Sequence, residues 1–214
     1  MKKIIIVGGG GHARVIIDIL LKIPDVEIIG ITEVRKELHG TFLLDIPVRG
    51  DDSILPQLLK KEDTSAIIGV GSIGDTALRA KLFEEVKAMG FTFINVIHPY
   101  SCINSRVVLG EGNVIMAGAI INPDVVIGNN TIINTGVIIE HDCIIEDNTH
   151  ISLGVKLGGG IKIGKNSHIG IGATIIQGIN VGKNVIVGAG SVVIRDIPDN
   201  TTVVGVPAKI IKRR

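Results

Sequence analysis

From Ile97 to Val193 an aliphatic residue returns every six positions without interruption, through Ile103, Leu109, Ile115 and Ile121 to Val181, Val187 and Val193. Four residues behind each stands a second series, from Ser101 and Val107 to Ser191 and Ile197, small or β-branched everywhere except at Asn113. A period of six fits neither a 3.6-residue helix nor an alternating strand. It marks a parallel β-helix in which each repeat is one short strand plus a corner. Isoleucine suits the inward positions because its branched side chain stacks on the equivalent residue one coil away. Three repeats per triangular coil predict about five to six coils, a prism on the order of 27 Å long at ~4.8 Å per coil, with residues eighteen apart stacked on one another. Gly128-Asn129, Asp147-Asn148 and Gly164-Lys165-Asn166 are the expected corners, since Gly and Asn tolerate positive φ.

Ahead of the coil the pattern changes. An apolar run over 3–7 ends in Gly8-Gly9-Gly10-Gly11, and Val15, Ile16, Ile19 and Leu20 then recur at helical spacing until Pro24. A strand over 26–31 completes a βαβ unit. Ser53 or a neighbouring Asp caps a helix to about residue 61; strands at 66–70 and 91–96 flank an amphipathic helix over 75–89. The expected division is a Rossmann-like parallel α/β domain over 1–96, the coil over 97–198 and a tail over 199–214. Gly8, Gly10 and Ala13 satisfy the loose dinucleotide fingerprint. A domain of roughly 95 residues with four strands is short for a full dinucleotide fold, so a nucleotide carried on a substrate fits better than NAD. The alternative is that the glycines serve only close strand-to-helix packing.

A net charge of +1 and five aromatic residues in 214 provide neither a basic field nor a stacking platform, which argues against a nucleic-acid partner. Cys102 and Cys143 suggest reduced thiols rather than a disulfide framework. Lys2-Lys3 and the following apolar run lack a small-residue cleavage site, and no apolar stretch reaches transmembrane length. A soluble, cytoplasmic protein is expected, with no membrane partner.

The glycine turn leading into His12-Ala13, the Gly71 turn, the junction over 95–99 and the coil together resemble the hexapeptide-repeat sugar O- and N-acetyltransferases. That group includes sialic acid O-acetyltransferase and bacterial enzymes acetylating nucleotide-linked 4-amino sugars. The resemblance covers essentially the whole chain. It implies a left-handed coil that binds acetyl-CoA, an N-terminal domain that holds a nucleotide sugar, no metal, and a homotrimer with each active site between two coils. It also implies that Gly10, Gly11, His12 and Ala13 border the nucleotide or phosphate, that Gly71 lies against it, and that Glu33 stands at the end of the second strand. Thr32-Glu33 takes the place of an Asp pair common in the family.

Catalysis is expected within residues 134–143. His141 follows the inward Ile139 by two residues, so it stands at an edge or corner, flanked by Glu140 and Asp142. An accessible imidazole beside a carboxylate has the makings of a general base; its bland alternative is a surface histidine in a turn. The resemblance makes His141 the base, Asp142 the residue that strengthens it and Asn134 a contact to the sugar. His150 would contact the cofactor, and Gly159, one coil beyond His141, would offer its amide to the thioester carbonyl. Ile171 and Ala189 would continue the groove along the pantetheine and adenine. The implied reaction is direct acetyl transfer to the amine of a nucleotide-linked 4-amino-4,6-dideoxy sugar, for bacterial surface glycans. Cys143 belongs to the inward series, which disfavours an acyl-cysteine route.

Other readings stay open at this point. Sialic acid O-acetylation could use the same base. His150 and His168, eighteen apart, with His141 could hold zinc in a carbonic-anhydrase-like hydro-lyase, and a non-enzymatic nucleotide-binding scaffold is a further possibility. Nucleotidyl transfer is disfavoured, because no arginine-rich loop follows the first glycine turn. Outward apolar residues Val108, Ile138 and Ile144 favour self-association. Gly205-Val206-Pro207-Ala208-Lys209 resembles the ending of such acetyltransferases, or simply stops the coil ahead of a basic tail with Lys212, Arg213 and Arg214.

Overall fold

The computed structural model describes residues 1–62 and 64–213; Arg214 lies outside them. The N-terminal elements are β1 (Lys2–Val7), α1 (Gly11–Leu20), β2 (Val26–Thr32), β3 (Phe42–Leu43), β4 (Ile46–Gly50), α2 (Leu55–Glu62), β5 (Ser65–Ile68) and α3 (Ala77–Ala88). They build one sheet in the order β3-β4-β2-β1-β5, parallel except at the β3–β4 hairpin. Ile4, Ile5, Ile6 and Val7 are all buried, as a central parallel strand covered on both faces must be. Ile4 and Ile6 pack on Ala13, Ile16 and Ile17 of α1. Ile5 and Val7 pack on Leu55 and Leu58 of α2 and Phe83 and Val86 of α3.

This half departs from the sequence reading in two places. The sheet has five strands, not four, because the β3–β4 hairpin turns on Leu44 and Asp45, both at positive φ (48° and 63°). A two-residue turn of that kind is ordinarily signalled by Asn-Gly, which is absent here. The strand expected over 91–96 contracts to an isolated bridge between Ala66 and Phe93, since Phe91 and Phe93 anchor in the core while Val96 already pairs with the coil. The cap before α2 falls within the expectation of Ser53 or a neighbouring Asp: it is Asp51, accepting from the Ser53 amide at 3.0 Å.

The coil is a left-handed parallel β-helix. Its two-residue strands pair at a constant offset of eighteen: Ile120 with Ile138, Ile144 with Lys162, His150 with His168. They form three faces. One carries Ile120–Ile121, Ile138–Ile139 and Lys156–Leu157; a second carries Val126–Ile127, Ile144–Ile145 and Lys162–Ile163; the third carries Val114–Ile115, Ile132–Ile133 and His150–Ile151. Inward Asn113 is fully buried but satisfied, accepting from the Thr131 amide (2.8 Å) and donating to Gly128 O (2.9 Å). Left-handed residues recur six apart at the corners, as Gly118, Asp124, Asn130, Gly136, Asp142, Asn148 and onward. Asn148 and Asn166 meet the expectation; at the corner read as Gly128-Asn129, the left-handed residue is Asn130.

The third face is covered by the N-terminal domain. Val96, Val114, Met116 and Ile132 point outward from the coil into the core around α1. Arg79 of α3, 2% exposed, donates to the Asn130 carbonyl, to Asn130 Oδ1 (3.1 Å) and to Thr149 O (3.1 Å). Past residue 198 the chain does not trail into solvent. Thr201–Val204 extends the same face and Lys209–Arg213 pairs antiparallel with it, so Lys209, Lys212 and Arg213 ride on a hairpin. Among the described residues no helix is long and apolar enough to cross a membrane.

Candidate active site

A cavity of about 340 Å³ opens where β1, β2, β4 and β5 end, lined by the Gly8 to Gly11 turn, His12, Glu33, Asp52 and Gly71 among others. The backbone of the turn is demanded by its neighbours. Gly8 has φ +98°, and a Cβ there would lie 2.5 Å from Val70; a Cβ on Gly71 would press on His12 at 3.3 Å. The α1 first turn holds no acidic side chain and its cap residue Gly10 none at all. The helix N-terminus therefore presents bare amides and the positive end of its dipole to the cavity. Such a terminus suits a phosphate.

Glu33 is placed there but is not an open acceptor. Oε2 takes the Gly9 amide (3.2 Å) and Arg35 Nη2 (3.0 Å); Oε1 takes the Arg35 amide (3.1 Å) and Nε (3.0 Å). The Arg35 hydrogen bonds hold its carboxyl well below the usual carboxylate range. Its visible role is to fix the Gly9 turn. Ala13 does not line the cavity; its side chain is fully buried in the core. His12 lines the cavity, while its Nε2 is sealed inside without a partner among the described residues. Burial, then the charge of Arg79, lowers its pKa to about 3.

The loop after Gly71 ties the two domains. His150 Nδ1 meets Ser72 O at 2.7 Å and Ser72 Oγ at 3.0 Å, and Nε2 lies 3.2 Å from the Asn134 amide nitrogen. Because an amide NH2 can only donate, Nε2 accepts and Nδ1 carries the proton. Burial, followed by the charges of His168 and Arg79, keeps this ring neutral, with a pKa of about 3. Both nitrogens of the expected cofactor contact are thus taken by protein, as they are for the zinc reading. Among the described residues no group of three or more His, Cys, Asp or Glu could hold a metal ion.

His141 occupies the corner between the first two faces. Asp142 holds a left-handed conformation (φ 59°), which short polar side chains tolerate, and its Oδ2 accepts from His141 Nδ1 at 2.7 Å. Nε2 is then the free lone pair. The hydrogen bond to Asp142 raises the His141 pKa. Gly159 sits against that ring: a Cβ would lie 2.8 Å from His141 Nε2 and Cε1, and the Gly159 amide has no partner among the described residues. Cys143 faces inward, fully buried, donating to Gly158 O at 3.2 Å, and burial pushes its thiol pKa up. Nothing there resembles an activated nucleophile.

The structure splits the expected site into two sets. Gly10, Gly11, His12, Gly71, Asn134 and His150 gather around the third face and the domain covering it. His141, Asp142 and Gly159 occupy the corner opposite that face. Exposed Ile171 and Ala189 belong to another corner column, the Ile171 carbonyl accepting from the Gly190 amide, on the far side of the first face from His141. Sequence reasoning missed Ser72, Asp52 and Arg79. For Arg79 a signal was available, because it shares helical spacing with the core residues Phe83 and Val86.

Residues 3–86 match the family described as PglD N-terminal domain. Over 118 residues, 55% of the chain, the sequence is 37% identical to UDP-N-acetylbacillosamine N-acetyltransferase of Bacillus subtilis (strain 168), and the match spans about half (52%) of that curated relative. PerB from Caulobacter crescentus, solved in complex with CoA and GDP-perosamine, is 39% identical with a TM-score of 0.90, covering 99% of this chain and 98% of that one. The acetyltransferase domain of PglB from Neisseria gonorrhoeae FA1090, solved with acetyl coenzyme A, is 32% identical with a TM-score of 0.88, covering 98% and 99%.

Proposed function

The chain belongs to the nucleotide-amino-sugar acetyltransferases of the hexapeptide-repeat type, and on that footing we propose that it transfers an acetyl group from acetyl-CoA to the amine of a nucleotide-linked 4-amino-4,6-dideoxy sugar. The observation that carries this reading is the His141 corner: Nδ1 held by Asp142, Nε2 free, and a glycine where any side chain would strike the ring. The amine nitrogen attacks the thioester carbonyl carbon while Nε2 takes its proton. The oxyanion is met by the Gly159 amide, the carbon–sulfur bond breaks, and the thiolate leaves with the proton returned from His141. Residues 1–96 hold the nucleotide sugar through Gly10, Gly11, His12 and Gly71. The coil over 97–198 holds acetyl-CoA, with Ile171 and Ala189 along its length, and 199–214 is the C-terminal segment. We place the enzyme in the cytoplasm.

The test is thiol release from acetyl-CoA with UDP-, GDP- and dTDP-linked 4-amino sugars and free sialic acid. Turnover confined to an amino sugar supports the reading; turnover on sialic acid alone moves it to O-acetylation.

Placing the base and the nucleotide pocket on opposite sides of one prism means that a second copy must complete each site. Val108 and Ile144, 59% and 43% exposed, stack with Val126 in a stripe on the second face, and Ile138 is half-buried on the first. We propose a homotrimer in which each site takes its pocket from one subunit and His141 from the next. Mixing two inactive variants, Gly10→Asp (which repels phosphate) and His141→Ala, should restore roughly a quarter of wild-type activity by random reassortment in a cyclic assembly. Mixtures as inactive as their components would contradict the shared site.

The pH profile follows from Asp142. As a base His141 must be neutral, and Asp142 raises its pKa, so activity rises with pH through a midpoint above the ordinary histidine value of about 6.5. In Asp142→Asn the midpoint should move toward acid and the plateau should fall, because a weaker base abstracts the proton less well. An unmoved midpoint in kcat/KM against pH would remove Asp142 from this role.

A further inference from the structure

The nucleotide pocket contains two carboxylates, and only one of them is available. Glu33 has about four acceptor positions, and all are filled, by the Gly9 amide and three Arg35 donors. Asp52 lines the same cavity, and its carboxylate has no hydrogen-bond or ion-pair partner among the described residues; only its backbone carbonyl is engaged, by the Leu55 amide. Its neighbour Asp51 takes the capping duty, accepting from Ser53. An open carboxylate in a pocket built for a phosphate repels the phosphate unless it has donors of its own to meet.

Its place on the sheet says which donors. The phosphate turn follows β1, Glu33 follows β2, and Asp52 follows β4, the next strand outward. Two strand spacings put it about 10 Å from the end of β1. A nucleoside diphosphate on the α1 N-terminus would carry its ribose past β2 and its base toward β4. Exposed Val34 and Leu78 line the same cavity and offer apolar surface to a ring.

Among the common bases, guanine alone presents two adjacent donors on one edge, N1–H and the N2 amino group, which match the two oxygens of a carboxylate. Uracil and thymine offer a single N–H between two carbonyl oxygens, and those oxygens repel a carboxylate. We infer that Asp52 reads the paired N–H donors of guanine, so that the sugar arrives linked to GDP. This deepens the proposed function and rests on this cavity being the nucleotide site.

Isothermal titration of the intact protein with GDP, IDP, UDP and dTDP tests it. IDP keeps the guanine ring system and N1–H but lacks the 2-amino group. Wild type should bind GDP about 10- to 100-fold more tightly than IDP, UDP or dTDP, a comparison that needs no variant. In Asp52→Asn, with its melting temperature checked, GDP should fall to the level of IDP while UDP changes little. Equal binding of GDP and UDP or of GDP and IDP by wild type would overturn the assignment. So would an Asp52→Asn loss shared equally by all four, which would put the carboxylate on the ribose. If none of the four binds, the nucleotide-site reading itself fails.

Discussion

Replacing His141 by alanine is expected to lower kcat by about 10²- to 10⁴-fold, the usual worth of a positioned base, while acetyl-CoA and nucleotide binding persist. The two halves of the site explain why the effect should be confined to chemistry. His141 is exposed at a corner and bonded through its side chain to Asp142, so its loss removes no core contact and leaves the N-terminal pocket on the far side of the prism untouched. No neighbour can substitute. Cys143 points into the core with its pKa raised, and Asp142, left without the imidazole, is a far weaker base toward an amine. The check is steady-state thiol release beside acetyl-CoA titration. A variant within tenfold of wild type would show that the corner does not supply the base, and loss of acetyl-CoA binding would show that it serves the cofactor instead.

The coil was legible in the sequence because its core repeats itself: a residue's inward neighbours are its own equivalents eighteen positions away, so the period alone fixes register, faces and the contact of Gly159 with His141. What the period could not choose was the face the N-terminal domain covers. Val96, Val114 and Ile132 form one outward apolar column, and Val108, Val126 and Ile144 form another just like it. The first is buried under α1 and the second stands at the surface. Since that choice decides whether His141 and the glycine turn share a side of one subunit, their separation was not legible in the repeat itself; only the family resemblance implied a site between two coils. Glu33 stands at the end of β2 as expected, but its saturation was not legible, because Arg35 is two residues away and nothing in sequence spacing says that its side chain turns back. The β3–β4 hairpin failed for a local reason, Leu44 at positive φ, where tertiary pairing with β2 overrides a poor turn residue.

The second large effect is expected at Arg79, and it falls on stability rather than chemistry. This arginine is the polar centre of the seam between domains: it crosses from α3 to the Asn130 carbonyl and side chain and to Thr149 O, with His12, His150 and His168 close enough to feel its charge. Burial lowers its pKa to about 9, which still leaves it charged at neutral pH. Arg79→Ala would orphan the Asn130 carbonyl, which has no other donor among the described residues, and would leave a cavity between helix and coil. Together these should cost about 3 kcal/mol. Lysine should rescue little, since one ammonium cannot reproduce a planar fork spanning both carbonyls. A second readout separates this clamp from simple loss of packing. His12 and His150, near 3 when folded and about 6.5 when unfolded, take up protons only on unfolding, so wild-type stability should fall as pH drops below about 6.5 toward 3. With the charge gone and the seam opened to water, both rings become easier to protonate in the folded state, and that acid slope should flatten. A melting temperature within a degree or two of wild type, or an unchanged slope, would mean that apolar packing around Val114 and Ile132 holds the domains together without the arginine.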